Sequence, residues 1–218
     1  ASCLVGSEMC IRDSCHTVEV KSQGRICLYI NETSSLDNNS KKTASPKIET
    51  PDTDFYSNII KSVPESRIIL YNFSNLSGYA FSQEVTTRLI KDFSQIVGMK
   101  DSTGNLWNNF KSKNFSMFVG SEKKLIDNLK IGGAGVISAT TNFSGLLAKK
   151  VYDDFKKTGS STDDEKLKDI RSAFDESGNL ITALHTLKSI ENKAYANLLP
   201  HLELLNENKK DELIKKLK

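Results

Sequence analysis

The sequence has no long apolar run, no excess of either charge and few cysteines. No hydrophobic stretch approaches the roughly 18 residues that span a bilayer, so no membrane partner is expected. Thirty Lys and Arg stand against twenty-seven Asp and Glu, a formal charge of +3. That balance is too small and too evenly spread for a nucleic-acid binder. The opening residues lack a charged segment followed by an apolar stretch and a small-residue cleavage site, so the expected location is cytoplasmic. The four cysteines, Cys3, Cys10, Cys15 and Cys27, include no C-x-x-C pair, and only His16 lies nearby as a further soft ligand. Their spacing points specifically to neither a zinc site nor a disulfide framework. A phosphate-binding glycine-rich turn after a strand is also missing, since Gly132, Gly133 and Gly135 precede a strand.

With 218 residues, 38% of them hydrophobic, the chain can bury one sizeable core or two small ones. Residues 1–14, ASCLVGSEMCIRDS, show no helical or strand periodicity and no initiating Met. They read as an adaptor-like tail foreign to the protein, with the true gene starting further upstream. RICLYIN at 25–31 reads as a buried strand, and the Ser, Asn, Lys and Thr-rich stretch 32–51 as a loop. A regular alternation follows: helix 53–62 capped by Asp52 or Thr53, strand 67–72, helix 82–92 with Val85, Leu89 and Ile90 on one face, and strand 96–100. A short helix at 106–111, strand 116–119, helix 122–130 and strand 135–139 come next. From Phe143 onward everything reads as helix, broken near Gly159 and at Ser177 and Gly178. Strands separated by helices predict parallel pairing with right-handed crossovers, hence an α/β fold of five apolar strands.

Two strand ends carry reactive side chains. Tyr71 stands near the end of RIILYN, and Lys100 closes QIVGMK before the polar turn Asp101, Ser102, Thr103 and Gly104. In parallel α/β proteins, sites are built at the C-terminal ends of strands. Burial there disfavours the charged form of a lysine, and a neutral amine can attack a carbonyl to form a Schiff base. A phenol on the neighbouring strand, about 4.8 Å away, can relay protons beside it. The plainer alternative is a lysine that snorkels to solvent beside a half-buried core tyrosine. His185 and His201 lie in helices without partners at ligand spacing. Trp107 reads as packing on the short helix. The six Asn-x-Ser/Thr triplets, at Asn31, Asn38, Asn72, Asn75, Asn114 and Asn142, read as chance in a chain rich in Asn and Ser.

Four ordered motifs, ILYNFSNLSG at 69–78, IVGMKDSTGNL at 96–106, FVGSE at 118–122 and GGAGVISATTN at 132–142, resemble the dihydrodipicolinate synthase and N-acetylneuraminate lyase family. These are Schiff-base aldolases on a (β/α)8 barrel that act on pyruvate. ITALHTLKSI at 181–190 and LLPHLELL at 198–205 are similar to the family's terminal helices. The resemblance implies that Lys100 is the Schiff-base lysine and Tyr71 the proton-shuttling phenol. It also implies that the Ile137 carbonyl faces the lysine and that Ser102, Gly120, Ser121 and Glu122 contact substrate. No metal or organic cofactor is implied, because the lysine supplies the electrophilic chemistry. The implied partners are pyruvate or another 2-oxo acid, an aldehyde, and further copies of the chain as a dimer or tetramer if full length.

The departures from the family are informative. An arginine that synthases use to clamp a carboxylate is Leu76 here, within the Leu76, Ser77, Gly78 run that lyases show, and a proline of that segment is Ser74. The 135–138 segment GVIS is more synthase-like. The turn after the second strand that binds the pyruvate carboxylate has no counterpart. The expectation is therefore an N-terminally truncated barrel, strands four to eight, over residues 15–158, with a C-terminal helical extension over 159–218. Its edge strand at 25–31 would be unpaired. The expected activity is a lyase or aldolase on pyruvate or a 2-oxo acid. The alternatives are 4-hydroxy-tetrahydrodipicolinate synthase and a non-catalytic barrel fragment.

Overall fold

A computed structural model describes residues 6–7, 17–22, 25–30, 53–77, 80–104 and 114–218, with side chains in 56–75, 80–104 and 114–218. The predicted loop 32–51, the helix 106–111 with Trp107, and Cys3, Cys10, Cys15 and His16 lie outside the described residues. So does the side chain of Cys27. In chain order the elements are β1 (Gly6–Ser7), β2 (Thr17–Ser22), β3 (Arg25–Ile30), α1 (Thr53–Ser62), β4 (Arg67–Asn72), α2 (Ser74–Ser77), α3 (Gln83–Asp92), β5 (Ile96–Asp101) and β6 (Ser116–Val119). They continue with α4 (Leu125–Lys130), β7 (Gly135–Ser138), α5 (Thr141–Thr158), α6 (Asp164–Glu176), α7 (Leu180–Glu191) and α8 (Glu207–Leu217). Residues 15–118 form one compact unit, and residues 1–14 with 119–218 form another.

In the unit 15–118 the strands lie side by side in the order β2, β3, β4, β5, β6. β3, β4 and β5 pair in parallel as expected, with Cys27 opposite Arg67 and Tyr71 opposite Lys100. Two expectations are corrected. β2, with no apolar run to announce it, pairs antiparallel to β3 from Thr17 opposite Ile30 to Ser22 opposite Arg25, so the sheet is mixed. β3, within the segment 25–31 expected to be an unpaired edge, therefore has a neighbour on each side.

Alternation along β4 and β5 separates two faces. On one face Ile68, Leu70 and Met99 pack against Tyr56 and Ile60 of α1 and Leu89 of α3, all buried. α3 starts where the Ser82 hydroxyl accepts the Val85 N–H at 3.1 Å, the usual N-cap bond. On the other face Gly98 is required by close approach: a Cβ there would lie 2.6 Å from the Ser116 carbonyl oxygen on β6. Ser74 starts the helical turn α2 soon after β4.

In the unit containing 119–218, β1 pairs in parallel with β7, Gly6 opposite Ile137. The turn from α4 into β7 needs glycine at 133, because a Cβ there would collide with the Asn128 side chain. That side chain donates to the Gly135 carbonyl at 3.0 Å. α6, α7 and α8 close a separate core around Phe174, Ala183, Leu184 and Leu213. The expectation of helix throughout the C-terminal part fails between α7 and α8. There Asn192 and Asn206 act as N-caps, and Pro200 and a left-handed His201 (φ 66°) lie between them. The Leu205 N–H is satisfied instead by the Thr186 hydroxyl at 2.9 Å. Among the described residues no helix is long and apolar enough to cross a membrane.

Leu89 is 0% exposed and Leu146 is 92% exposed. Leu89→Ala is expected to cost about 3 kcal/mol of stability through a cavity in the core. Leu146→Ala should stay within about 0.5 kcal/mol; urea midpoints of the two variants check the contrast.

Candidate active site

Parallel pairing places Tyr71 and Lys100 opposite one another near the ends of β4 and β5. Lys100 is 3% exposed, and its Nζ lies over the Tyr71 ring, 4.2 Å from the centroid. The Phe73 ring stands 5.9 Å from that of Tyr71. A lysine buried at a strand's C-terminal end against a phenol ring is a functional candidate rather than a snorkelling surface lysine. Ser102, half-buried, follows on the turn, and its backbone N–H donates to the Asn72 carbonyl at 2.9 Å.

Both strands extend one residue beyond the expected reactive positions, and the two extra residues interact. Asn72 Nδ2 donates to Asp101 Oδ1 at 3.2 Å, with both side chains buried. Sequence reasoning passed over this pair. The available signal was two polar residues in identical places after two reactive ones, Tyr-Asn and Lys-Asp.

The remaining predicted residues lie in the other unit. Ile137 is 0% exposed on β7, and Gly120 and Ser121 are half-buried in the turn after β6. Glu122 is 0% exposed with both carboxylate oxygens engaged. Oε2 accepts from Ser138 Oγ at 2.9 Å and from Arg171 Nη1 at 3.0 Å, and Oε1 accepts from Thr140 Oγ1. Arg171 Nη1 also reaches the Gly120 carbonyl at 3.3 Å and Ser138 Oγ at 3.1 Å, while its Nε donates to Asp175 at 2.7 Å. Lys123 completes the group on Asp175 at 2.9 Å. The Glu122 carboxylate thus braces the end of β7 to α6, and Arg171 ties in the turn at Gly120. Burial opposes the Arg171 charge, but the Glu122 and Asp175 carboxylates outweigh it and hold the guanidinium more firmly protonated than usual. Burial likewise opposes the Asp175 charge, and hydrogen bonds from Lys123 and Arg171 outweigh it, holding that carboxyl below the usual range. Among the described residues no three His, Cys, Asp or Glu side chains gather as metal ligands. His185 is occupied by the Tyr195 carbonyl at 2.7 Å.

Over residues 47–218 the chain matches the Dihydrodipicolinate synthetase family. The chain belongs to that family. Among curated relatives, a protein of Escherichia coli named as a probable 2-dehydro-3-deoxy-D-pentonate aldolase is 38% identical over 107 residues, covering 45% of this chain and 35% of the relative. A 4-hydroxy-tetrahydrodipicolinate synthase of Buchnera aphidicola is 32% identical over 165 residues, covering 69% of this chain and 54% of the relative. This dihydrodipicolinate synthetase family member therefore spans about a third of the length of the first of these relatives and about half of the second. The crystal structure of N-acetylneuraminate lyase from Fusobacterium nucleatum aligns with a TM-score of 0.66 at 20% identity, over 87% of this chain and 64% of that one. At that identity the likeness carries the fold.

Removing Arg171 leaves Glu122 buried without its cation, so Arg171→Met is expected to cost about 3 kcal/mol or more of stability, measured by urea denaturation. Asp175 titrates below its ordinary range when folded, so its contribution is complete above the unfolded carboxylate value and is lost as pH falls through the folded value. The midpoint deficit of Asp175→Asn against wild type should be full at about pH 6 and shrink progressively as pH falls below the ordinary carboxylate range.

Proposed function

We propose that the chain carries the imine-forming part of a Schiff-base lyase or aldolase acting on pyruvate or another 2-oxo acid, with Lys100 as nucleophile and Tyr71 as proton relay. The observation that carries this reading is the buried Lys100 amine held 4.2 Å from the Tyr71 ring centroid at paired strand ends in a member of this family. The amine lone pair attacks the ketone carbon and a C–N bond forms. Two protons convert the former carbonyl oxygen to water, which leaves, and the product is a protonated imine. That imine withdraws electrons from the adjacent carbon, so loss of a proton or cleavage of a C–C bond there gives an enamine. Tyr71 carries protons to and from the departing and arriving oxygens.

The second substrate is read as an aldehyde of the sugar-acid type, as for N-acetylneuraminate lyase and related aldolases. Leu76 in place of the synthases' arginine and the 38% identity to the pentonate aldolase support this reading. The alternative, 4-hydroxy-tetrahydrodipicolinate synthase, is favoured by the longer match to the Buchnera relative and by GVIS at 135–138. Ser102, Gly120, Ser121 and the Ile137 carbonyl remain proposed substrate contacts by family resemblance. Glu122 is proposed to act there through the groups it braces. Association into a dimer or tetramer belongs to the same proposal for the full-length enzyme.

Incubation of the chain with pyruvate and borohydride, followed by peptide mass spectrometry, tests the reading. The expected result is a reduced adduct mapped to Lys100, absent from Lys100→Arg and formed about 100-fold more slowly in Tyr71→Phe. No adduct in a demonstrably folded chain favours a non-catalytic barrel fragment instead.

A further inference from the structure

The ladder between β4 and β5 is irregular where its register matters most. Ile68 pairs with Ile96 but Ile69 pairs with Gly98, so Val97 is an extra residue and the register shifts there. The rungs beyond the bulge include Gly98, which has no side chain to interlock with its neighbours. A one-residue slip sends side chains to the opposite face of a sheet, and such a slip here would part Lys100 from Tyr71. Something after the bulge must hold the register.

The last rung does so with polar chemistry. Asn72 and Asp101 follow Tyr71 and Lys100 directly, are 2% and 3% exposed, and are joined by the 3.2 Å side-chain bond. Asn72 Oδ1 accepts the Phe81 N–H at 3.1 Å, fixing the return of the chain towards α3. Asp101 Oδ1 also accepts from the Thr103 N–H at 2.9 Å and the Thr103 hydroxyl at 2.6 Å, fixing the turn after β5. Buried hydrogen bonds of this kind are strong and register-specific. Asp101 Oδ2, however, is buried and has no hydrogen-bond partner among the described residues.

We propose that Asn72 and Asp101 are positioning residues that lock the β4–β5 register after the bulge and so set the Lys100 amine against the Tyr71 ring, an inference that rests on the imine reading of those two side chains. An amine displaced by about 1 Å loses about tenfold or more in its reaction rate.

The test exchanges the pair in the full chain and reads the geometry without substrate. In protein labelled with ¹³C at lysine Cε, the Lys100 signal, assigned by its loss in Lys100→Arg, is expected to be shifted upfield by the Tyr71 ring current. Asn72→Asp sets two carboxylates against each other, so the signal should move to the ordinary lysine position. Adding Asp101→Asn to that variant rebuilds a donor–acceptor pair and should restore both the upfield shift and the wild-type rate of pyruvate trapping. A Lys100 signal that stays put in folded Asn72→Asp, or that is not restored in a folded double exchange, overturns the inference. Should Asn72→Asp fail to fold, Thr103→Val decides: a reduced shift supports the inference and an unchanged one overturns it. Absence of a pyruvate adduct in the wild-type chain counts against the imine reading alone, because the ring-current shift needs no substrate.

Discussion

Holding a lysine amine out of water at the end of a strand is the requirement on which the rest of the 15–118 unit depends. Lys100 is 3% exposed because its strand is flanked by β4 and β6 and backed by the apolar layer of Leu70, Met99 and Leu89. It meets the Tyr71 ring because parallel pairing sets residues 71 and 100 opposite one another. Close approach of β6 is possible only because residue 98 has no side chain. Each of these is an ordinary packing decision, and together they place a buried lysine against a phenol ring at paired strand ends.

The unit containing residues 119–218 handles a buried charge differently. Glu122 is satisfied on both oxygens by hydroxyls and by Arg171, whose guanidinium is tied to Asp175. A buried ion pair of this kind gives little net stability, but loss of one partner is costly. Its effect is to join the Gly120 carbonyl and the Ser138 hydroxyl to a single side chain of α6. Ser144 Oγ adds a further, longer contact to Glu122 Oε1 at 3.5 Å.

Strands β4, β5, β6 and β7 were legible because each is a short apolar run bounded by turn residues, and α3 because Ser82 and the spacing of Val85, Leu89 and Ile90 mark its start and face. Lys100 and Tyr71 stood out as reactive groups at the ends of apolar runs. β2 was not legible: TVEVKS lacks the apolar character of a buried strand and is defined by its pairing with β3. The break after α7 was obscured by the leucines at 198, 199, 202, 204 and 205, which mimic a helix although Pro200 interrupts it. The Glu122 network required tertiary structure, since Arg171 is 49 residues away. The Asn72–Asp101 pair was in plain view in two motifs, but only the register shows that the two residues meet.

The central claim is that this chain turns an amine into an electron sink for a 2-oxo acid. It is tested most directly by ¹H NMR of pyruvate in D₂O, following exchange of the methyl hydrogens, which needs imine and enamine formation but no aldehyde. The account predicts loss of the methyl signal in the presence of the chain, faster than in buffer and faster than with Lys100→Arg. Exchange by the folded chain at the rate of buffer alone would contradict it.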